Sequence, residues 1–347
     1  MSFYLKEPDI SPQEPDRTGI LVMNLGTPEA PTAKALRPYL RQFLSDRRVI
    51  EIPRFIWWFI LNGFILVSRP RQSAHKYATI WGNEGSPLLV NSRKQASLLE
   101  GYLGDTIASP YTVELGMRYG QPSVQSAIAN LKARNCNRIL LFPLYPQYAG
   151  SSSASAIDEA MRALLRARNM PEIRTIRDYH AHPAYINAVA ESIRLHWQQH
   201  GKPEKLVMSF HGVPRRTCDL GDPYYKQCLT SGKLIAQALG LTEDQYLIAF
   251  QSRFGAAEWL QPYFAPEIEA LGKQKLRRVD VVCPGFSSDC LETLEEIAME
   301  GKGLFLEAGG GEYHYIPALN DSDTWIKAMR EIVMDNLQGW VTPRSAA

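Results

Sequence analysis

The sequence predicts an α/β protein built from two similar doubly wound parallel-sheet domains with a cleft between them. Three observations lead there. Short apolar runs recur and close on Gly or Pro, the pattern of strands buried on both faces. Helical periodicities lie between them: 123–133 puts Val124, Ala127, Ile128 and Leu131 on one face, and 230–239 does so with Leu234, Ile235, Ala238 and Leu239. Such alternation marks βαβ units. Finally, three segments recur in the same order in both halves: 20–28 (ILVMNLGTP) with 206–214 (LVMSFHGVP), 113–120 (VELGMRYG) with 248–255 (IAFQSRFG), and 137–143 (NRILLFP) with 278–284 (RVDVVCP).

Residues 1–17 carry acids and prolines without an apolar run, so they read as a flexible lead and not as a secretory signal. The first domain is placed at 18–165. Within it lies the one long apolar stretch, 55–67 (FIWWFILNGFILV), too short for a membrane span of roughly 20 residues. It fits either a buried helix or an exposed lip against a greasy ligand or a membrane surface. The second domain is placed at 166–320. The segment 321–340 holds a last amphipathic helix, expected to pack back on the first domain.

The totals exclude several classes. A chain of 347 residues with 45% hydrophobic and 21% charged residues is long enough for two domains with real cores. A net charge of +2 without a Lys/Arg run gives no footprint for nucleic acid. Five scattered cysteines with no CxxC argue against a disulfide framework or a structural zinc site, and for a cytoplasmic protein with free thiols. No GxGxxG, Walker or GxSxG pattern occurs where nucleotide or hydrolase chemistry needs it.

In open α/β sheets ligands sit beyond the carboxyl ends of the strands. His211 stands at such an end, whereas the first-domain copy there reads Asn24–Leu25–Gly26. The second feature is 284–300 (PGFSSDCLETLEEIAME), where Asp289, Glu292, Glu296 and Glu300 are spaced 3, 4 and 4 and line one helical face. A plainer account makes Asp289 an N-cap with Glu292 as its capping-box partner. An imidazole and carboxylates without thiolates suit a borderline or hard ion such as Fe²⁺, and His is a base near neutral pH. Arg118 and Tyr119 end another strand, duplicated by Arg253 and Phe254; arginine holds carboxylates in bidentate fashion. Tyr145 and Tyr148 lie at a third strand end, suited to stacking on a flat ring.

Together 20–28, 40–48 (LRQFLSDRR), 144–148, 209–214 (SFHGVP), 250–255 with Trp259, and 284–297 resemble the ferrochelatases, over about residues 18 to 335 and most nearly in the Gram-negative bacterial pattern. The resemblance implies a chelatase fold that inserts Fe²⁺ into protoporphyrin IX, giving protohaem and two protons at the final step of haem synthesis. It implies that His211 and Glu292 are the metal-contacting and catalytic pair, with Asp289 and Glu296 on a proton or metal path. Leu25, Arg69, Arg118, Tyr119, Ser252 and Trp259 fall at porphyrin-pocket positions, joined by Tyr145 from the reading above, and His182 matches a second family histidine. Animal members carry a [2Fe–2S] cluster on cysteines; here the tail VTPRSAA has none and Ser151 stands near another ligand position, so neither a cluster nor any other prosthetic group is expected. Animal members also place a His where Cys290 stands. The expected partners are porphyrin and Fe²⁺ and no nucleic acid, in the cytoplasm, with at most peripheral membrane contact through 55–67. Competing readings are a chelatase for coproporphyrin or another tetrapyrrole, and a non-catalytic haem or porphyrin carrier.

Overall fold

The computed structural model describes residues 3–344 apart from Phe254 and Ala256. The chain divides into two compact units. Unit 1 holds residues through Leu144, Gly150–Asp178 and the tail from Met329; unit 2 holds Tyr145–Ala149 and Tyr179–Ala328.

Unit 1 is a four-stranded parallel sheet of β1 (Arg17–Gly26), β2 (Tyr111–Tyr119), β3 (Cys136–Pro143) and β4 (Glu172–Thr175), in the order β2-β1-β3-β4. Ile20 to Met23 are fully buried in the central strand, as a strand covered on both faces requires. Between β1 and β2 run α1 (Ala33–Leu44), α2 (Arg54–Ile60), a π-helical turn Leu61–Ile65, α3 (Leu66–Ile80) and α4 (Pro87–Gly104). α5 (Val124–Ala133) starts on Ser123, whose side chain accepts from the Ser126 N–H. The π-helical turn Gly150–Ala154 leads into α6 (Ser155–Leu164). Gly26 closes β1 at φ 106, where an added Cβ would lie 1.7 Å from the Tyr119 carbonyl oxygen; only glycine lets β1 and β2 end this close.

Unit 2 repeats the plan. Its strands β5 (Lys205–His211), β6 (Tyr246–Gln251), β7 (Arg278–Val282) and β8 (Glu312–Ile316) run parallel in the order β6-β5-β7-β8. The three repeated sequence segments are thus β1 and β5, β2 and β6, β3 and β7, in matching sheet positions. The helices are α7 (Pro183–His200), α8 (Arg215–Asp219), α9 (Tyr224–Leu239), α10 (Phe264–Lys273), a ten-residue π-helix Glu292–Gly301 and α11 (Lys302–Glu307), followed by α12 (Asp323–Asn336), which begins in this unit and belongs to unit 1 from Met329. Val207, Ala249, Ile268, Val279, Val281, Ile297 and Phe305 form an apolar core between sheet and helices.

The sheet's fourth strands shift the expected boundary. β4 pairs with β3, so the chain stays in unit 1 through Asp178 instead of leaving it at 165. From Met329, within α12, the chain belongs to unit 1 again. There Arg174 donates to the Asn336 and Gln338 carbonyls and lies 4.3 Å from the centre of the Trp340 ring.

The stretch 55–67 is buried on one side and exposed on the other. Trp57, Leu61 and Leu66 are buried against Leu40, Leu44 and Ile50, and the Trp57 indole N–H donates to the Leu44 carbonyl at 2.7 Å. Phe55, Ile56, Trp58, Phe59, Phe64 and Val67 are exposed, Phe55 and Phe64 by more than 70%. Among the described residues no helix is long and apolar enough to cross a membrane.

Candidate active site

His211 and the acidic segment 289–300 both follow strand ends of the unit 2 sheet. β5 delivers His211 at its last residue, after five residues buried in the sheet. The imidazole Nδ1 lies 2.6 Å from the Gly212 carbonyl oxygen. A carbonyl only accepts, so Nδ1 carries a proton, and in the neutral ring the lone pair is on Nε2. Gly212 is fixed in turn: its N–H donates to the Gln251 carbonyl at 2.7 Å, and an added Cβ would meet that same oxygen at 2.7 Å.

Gln251, the last residue of β6 and buried, ties three strand ends together. Its side-chain oxygen accepts from Ser209 Oγ at 2.8 Å and faces Cys283 Sγ at 3.7 Å; its amide donates to the Glu292 carbonyl at 3.0 Å. The residues holding His211 and Glu292 therefore share one anchor. The signal for Gln251 was a polar residue inside an apolar strand, where the first-half duplicate has Gly116.

The expected row of four carboxylates is corrected in two respects. Asp289 lies ahead of the helix and is buried: its carboxylate accepts from Thr293 Oγ1 at 3.0 Å, Tyr315 OH at 2.5 Å, the Ala318 N–H at 3.3 Å and Asn320 Nδ2 at 2.7 Å. It is neither an N-cap nor part of a capping box, because Leu291 occupies the cap without a side-chain bond. The remaining Glu292, Glu296 and Glu300 sit on a π-helix, whose i→i+5 bonding is rare and concentrated at functional sites. Glu296 accepts from the Ser252 N–H at 2.7 Å and from Ser252 Oγ. Ser252 has φ 66, a left-handed conformation unusual for a side chain, and those two bonds hold it there. Glu292 is half-buried. Beside it, burial first and then the Glu292 charge push the Cys290 thiol well above its usual range. Cys290 is a neutral thiol here and not a thiolate ligand.

The other expected residues spread over both units. In unit 2, Trp259 crosses Pro214 in a β-bridge, and its ring carbon Cε3 is the near neighbour that a Cβ on Gly212 would meet at 3.2 Å. Among the described residues its buried indole N–H has no hydrogen-bond partner. Tyr145 is half-buried in the short segment Tyr145–Ala149, where Gln147 donates to Ser231 Oγ and Tyr185 OH, and Gln227 accepts from the Tyr148 N–H. Arg253 is exposed over the Tyr263 ring, and Phe254 lies outside the described residues. His182 caps α7, its Nδ1 accepting from the Ala184 N–H at 3.2 Å.

In unit 1, Leu25 is half-buried next to the last residue of β1, with its N–H donating to the Asn24 side chain. Arg69 is half-buried on α3, and burial draws its pKa below the ordinary arginine value. Arg118 and Tyr119 are buried and bonded to an acid that sequence reasoning did not single out. Asp46 Oδ2 lies 2.6 Å from Arg118 Nη2 and accepts from Tyr119 OH at 2.8 Å and from Ser155 Oγ. Arg118 also donates to Ser155 at 2.7 Å and faces Glu159 at 3.2 Å. Burial acts to raise the Asp46 pKa, but bonds from Ser155, the Arg48 N–H and Tyr119, with the Arg118 charge, hold it below the usual carboxylate value. Burial pushes the Tyr119 hydroxyl up to a value beyond the ordinary tyrosine range. The guanidinium read as a partner for a ligand carboxylate already has one within the protein.

The family model described as ferrochelatase matches residues 17–337. The chain belongs to the ferrochelatase family. It is 85% identical to the ferrochelatase of Methylobacillus flagellatus, covering 99% of this chain and 100% of that one. It is 59% identical to the ferrochelatase of Chromobacterium violaceum, over 99% and 95% of the two chains. The structure of SirB from Bacillus subtilis with Fe³⁺ superposes with a TM-score of 0.54 at 13% identity, covering 92% of this chain and 95% of that one. That likeness shows the fold, the chelatase fold. The chain is accordingly an enzyme of the chelatase type with ferrochelatase activity, and the carrier and other-chelatase readings are not favoured.

Proposed function

We propose that this ferrochelatase inserts Fe²⁺ into protoporphyrin IX and that His211 and Glu292 carry the step. The observation behind the assignment is the His211 ring: Nδ1–H is fixed on the Gly212 carbonyl, so Nε2 presents a lone pair at the sheet's carboxyl edge. Insertion replaces two pyrrole N–H protons by one divalent ion, so a neutral free base and Fe²⁺ give neutral haem and two protons. A neutral imidazole takes up such protons, or contacts the incoming ion, without needing to lose one of its own first. Glu292 supplies a negative charge that favours both the ion and the departing proton. Glu296, half-buried and on the same π-helix, continues the acidic path, while Asp289, satisfied by four donors, acts as a fixed charge that positions the loop.

The porphyrin contacts belong to the same proposal: Leu25, Arg69, Tyr145, Ser252 and Trp259 by direct touch, Arg118 and Tyr119 by supporting the wall through Asp46. The exposed Phe55, Trp58, Phe59 and Phe64 suit peripheral contact with a lipid surface, from which an apolar porphyrin is drawn. The protein works without an iron–sulfur cluster. Supporting this, burial raises all five cysteine thiols above their usual range, which disfavours the thiolates that a cluster needs.

The test is anaerobic conversion of free-base porphyrin, followed by absorbance, with protoporphyrin IX and coproporphyrin offered in parallel to wild type and Glu292→Gln. Turnover of protoporphyrin IX by wild type, lost in a Glu292→Gln protein that still binds porphyrin, is the expected result. Preference for coproporphyrin overturns the substrate, and undiminished turnover by Glu292→Gln overturns the role of Glu292.

A further inference from the structure

A second group of metal-ligating side chains lies in unit 2, away from the strand ends that hold His211 and Glu292. His196 on α7, Asp280 in the middle of β7 and His314 in the middle of β8 bring one potential ligand atom each within 4.8 Å of one another. His196 Nε2 and His314 Nδ1 are 3.3 Å apart, and His196 Nε2 is 3.8 Å from Asp280 Oδ2. Two donors bound to one tetrahedral ion at about 2.0–2.1 Å stand about 3.3 Å apart, so the imidazole pair is already spaced for it.

Three further features fit an ion. His314 turns its other nitrogen, Nε2, toward Glu312 at 3.5 Å, the outer carboxylate that orients a metal-bound histidine. Asp280 is fully buried and fixed by Arg278, through both carboxylate oxygens at 2.8 and 2.9 Å, and by the Trp197 indole N–H at 2.9 Å. Its charge therefore cannot turn away from the histidines. His200 follows His196 by one helical turn, is exposed, and stands with its ring centre 4.5 Å from that of His196 and 5.3 Å from that of His314.

We propose that His196, His314 and Asp280, completed by His200 or water from the open side, bind a divalent transition-metal ion of the Zn²⁺, Co²⁺ or Ni²⁺ class. Two imidazoles and one carboxylate match borderline ions and not Mg²⁺ or Ca²⁺, which take oxygen ligands. The site clamps α7 to β7 and β8 and is separate from the iron handled as substrate. The alternative occupant of the 3.3 Å gap is a proton shared by the two rings, and the two cases give opposite results.

The experiment uses the full chain carrying His211→Ala and Glu292→Gln, which removes the other pair of ligands, after treatment with a chelator. Co²⁺ is titrated in and read by its visible ligand-field bands, and Zn²⁺ is counted by equilibrium dialysis. One equivalent of either ion, with affinity falling on the order of 10–100-fold when His314→Gln is added, is the expected result. His196→Gln serves as the second variant, with circular dichroism checking that each protein is folded. Absence of stoichiometric binding in the His211→Ala, Glu292→Gln protein overturns the proposal, as does binding that both histidine variants leave unchanged.

Discussion

The side-chain amide of Gln251 donates to the backbone carbonyl of Glu292 at 3.0 Å, while the Gln251 carbonyl takes the N–H of Gly212, the neighbour of His211. One buried glutamine thus sets the position of both residues to which the chemistry is assigned. Gln251→Ala leaves Ser209 Oγ and the Glu292 carbonyl without their partner, at a cost of about 1–3 kcal/mol in stability. A small displacement of reacting groups costs on the order of 10²-fold in rate. The expected outcome is a kcat reduced by roughly that factor with KM for porphyrin changed little, checked by steady-state kinetics beside a thermal unfolding curve. A variant that loses stability but keeps kcat assigns Gln251 a purely structural role.

The buried Asp46–Arg118 pair contributes to the acid stability of unit 1. The Asp46 carboxyl is held below its unfolded value, so it contributes stability above about pH 3.9, and that contribution fades as pH falls through the lower folded-state value. Asp46→Ala leaves a buried guanidinium with less compensation and is expected to cost about 3–5 kcal/mol near neutral pH. Asp46→Asn is expected to flatten the loss of stability below pH 4. Chemical denaturation at a series of pH values measures both; an Asp46→Asn curve parallel to wild type removes the carboxylate from the account.

The exposed side of 55–67 predicts a lipid contact. Full burial of one large aromatic contributes about 1.5–3 kcal/mol. Trp58→Ser combined with Phe64→Ser is therefore expected to weaken sedimentation with phospholipid vesicles by at least about tenfold without unfolding the protein, since both side chains point to solvent. Trp57→Ser is the contrasting variant: its indole is buried and bonded to Leu44, so it destabilises unit 1 instead. Equal vesicle binding by wild type and the double variant rules the lip out as a membrane contact.

Much of this architecture is legible in the residues. Buried parallel strands read as near-continuous apolar runs, so ILVMNLG, LVMSFH and RVDVV stand out, and their repetition foretells two sheets of the same order. β4 (EIRT) does not stand out, because a short edge strand has no continuous apolar run, and the expected boundary fell ahead of it. His211 is legible because an imidazole ends an apolar strand. Asp289 was misplaced because spacing alone cannot separate a helical face from a buried loop carboxylate whose donors, Tyr315 and Asn320, come from beyond β7. Asp46 and the His196–His314 pair are invisible for the same reason: Arg118 lies 72 residues from Asp46, and the two histidines lie 118 residues apart.

The most direct measurement is anaerobic conversion of protoporphyrin IX and Fe²⁺ by His211→Ala, with porphyrin binding followed in the same sample by fluorescence. The account predicts binding close to that of wild type and a rate lower by about 10²–10⁴-fold, the scale of a lost general base. A His211→Ala protein that turns over within a few-fold of wild type contradicts it.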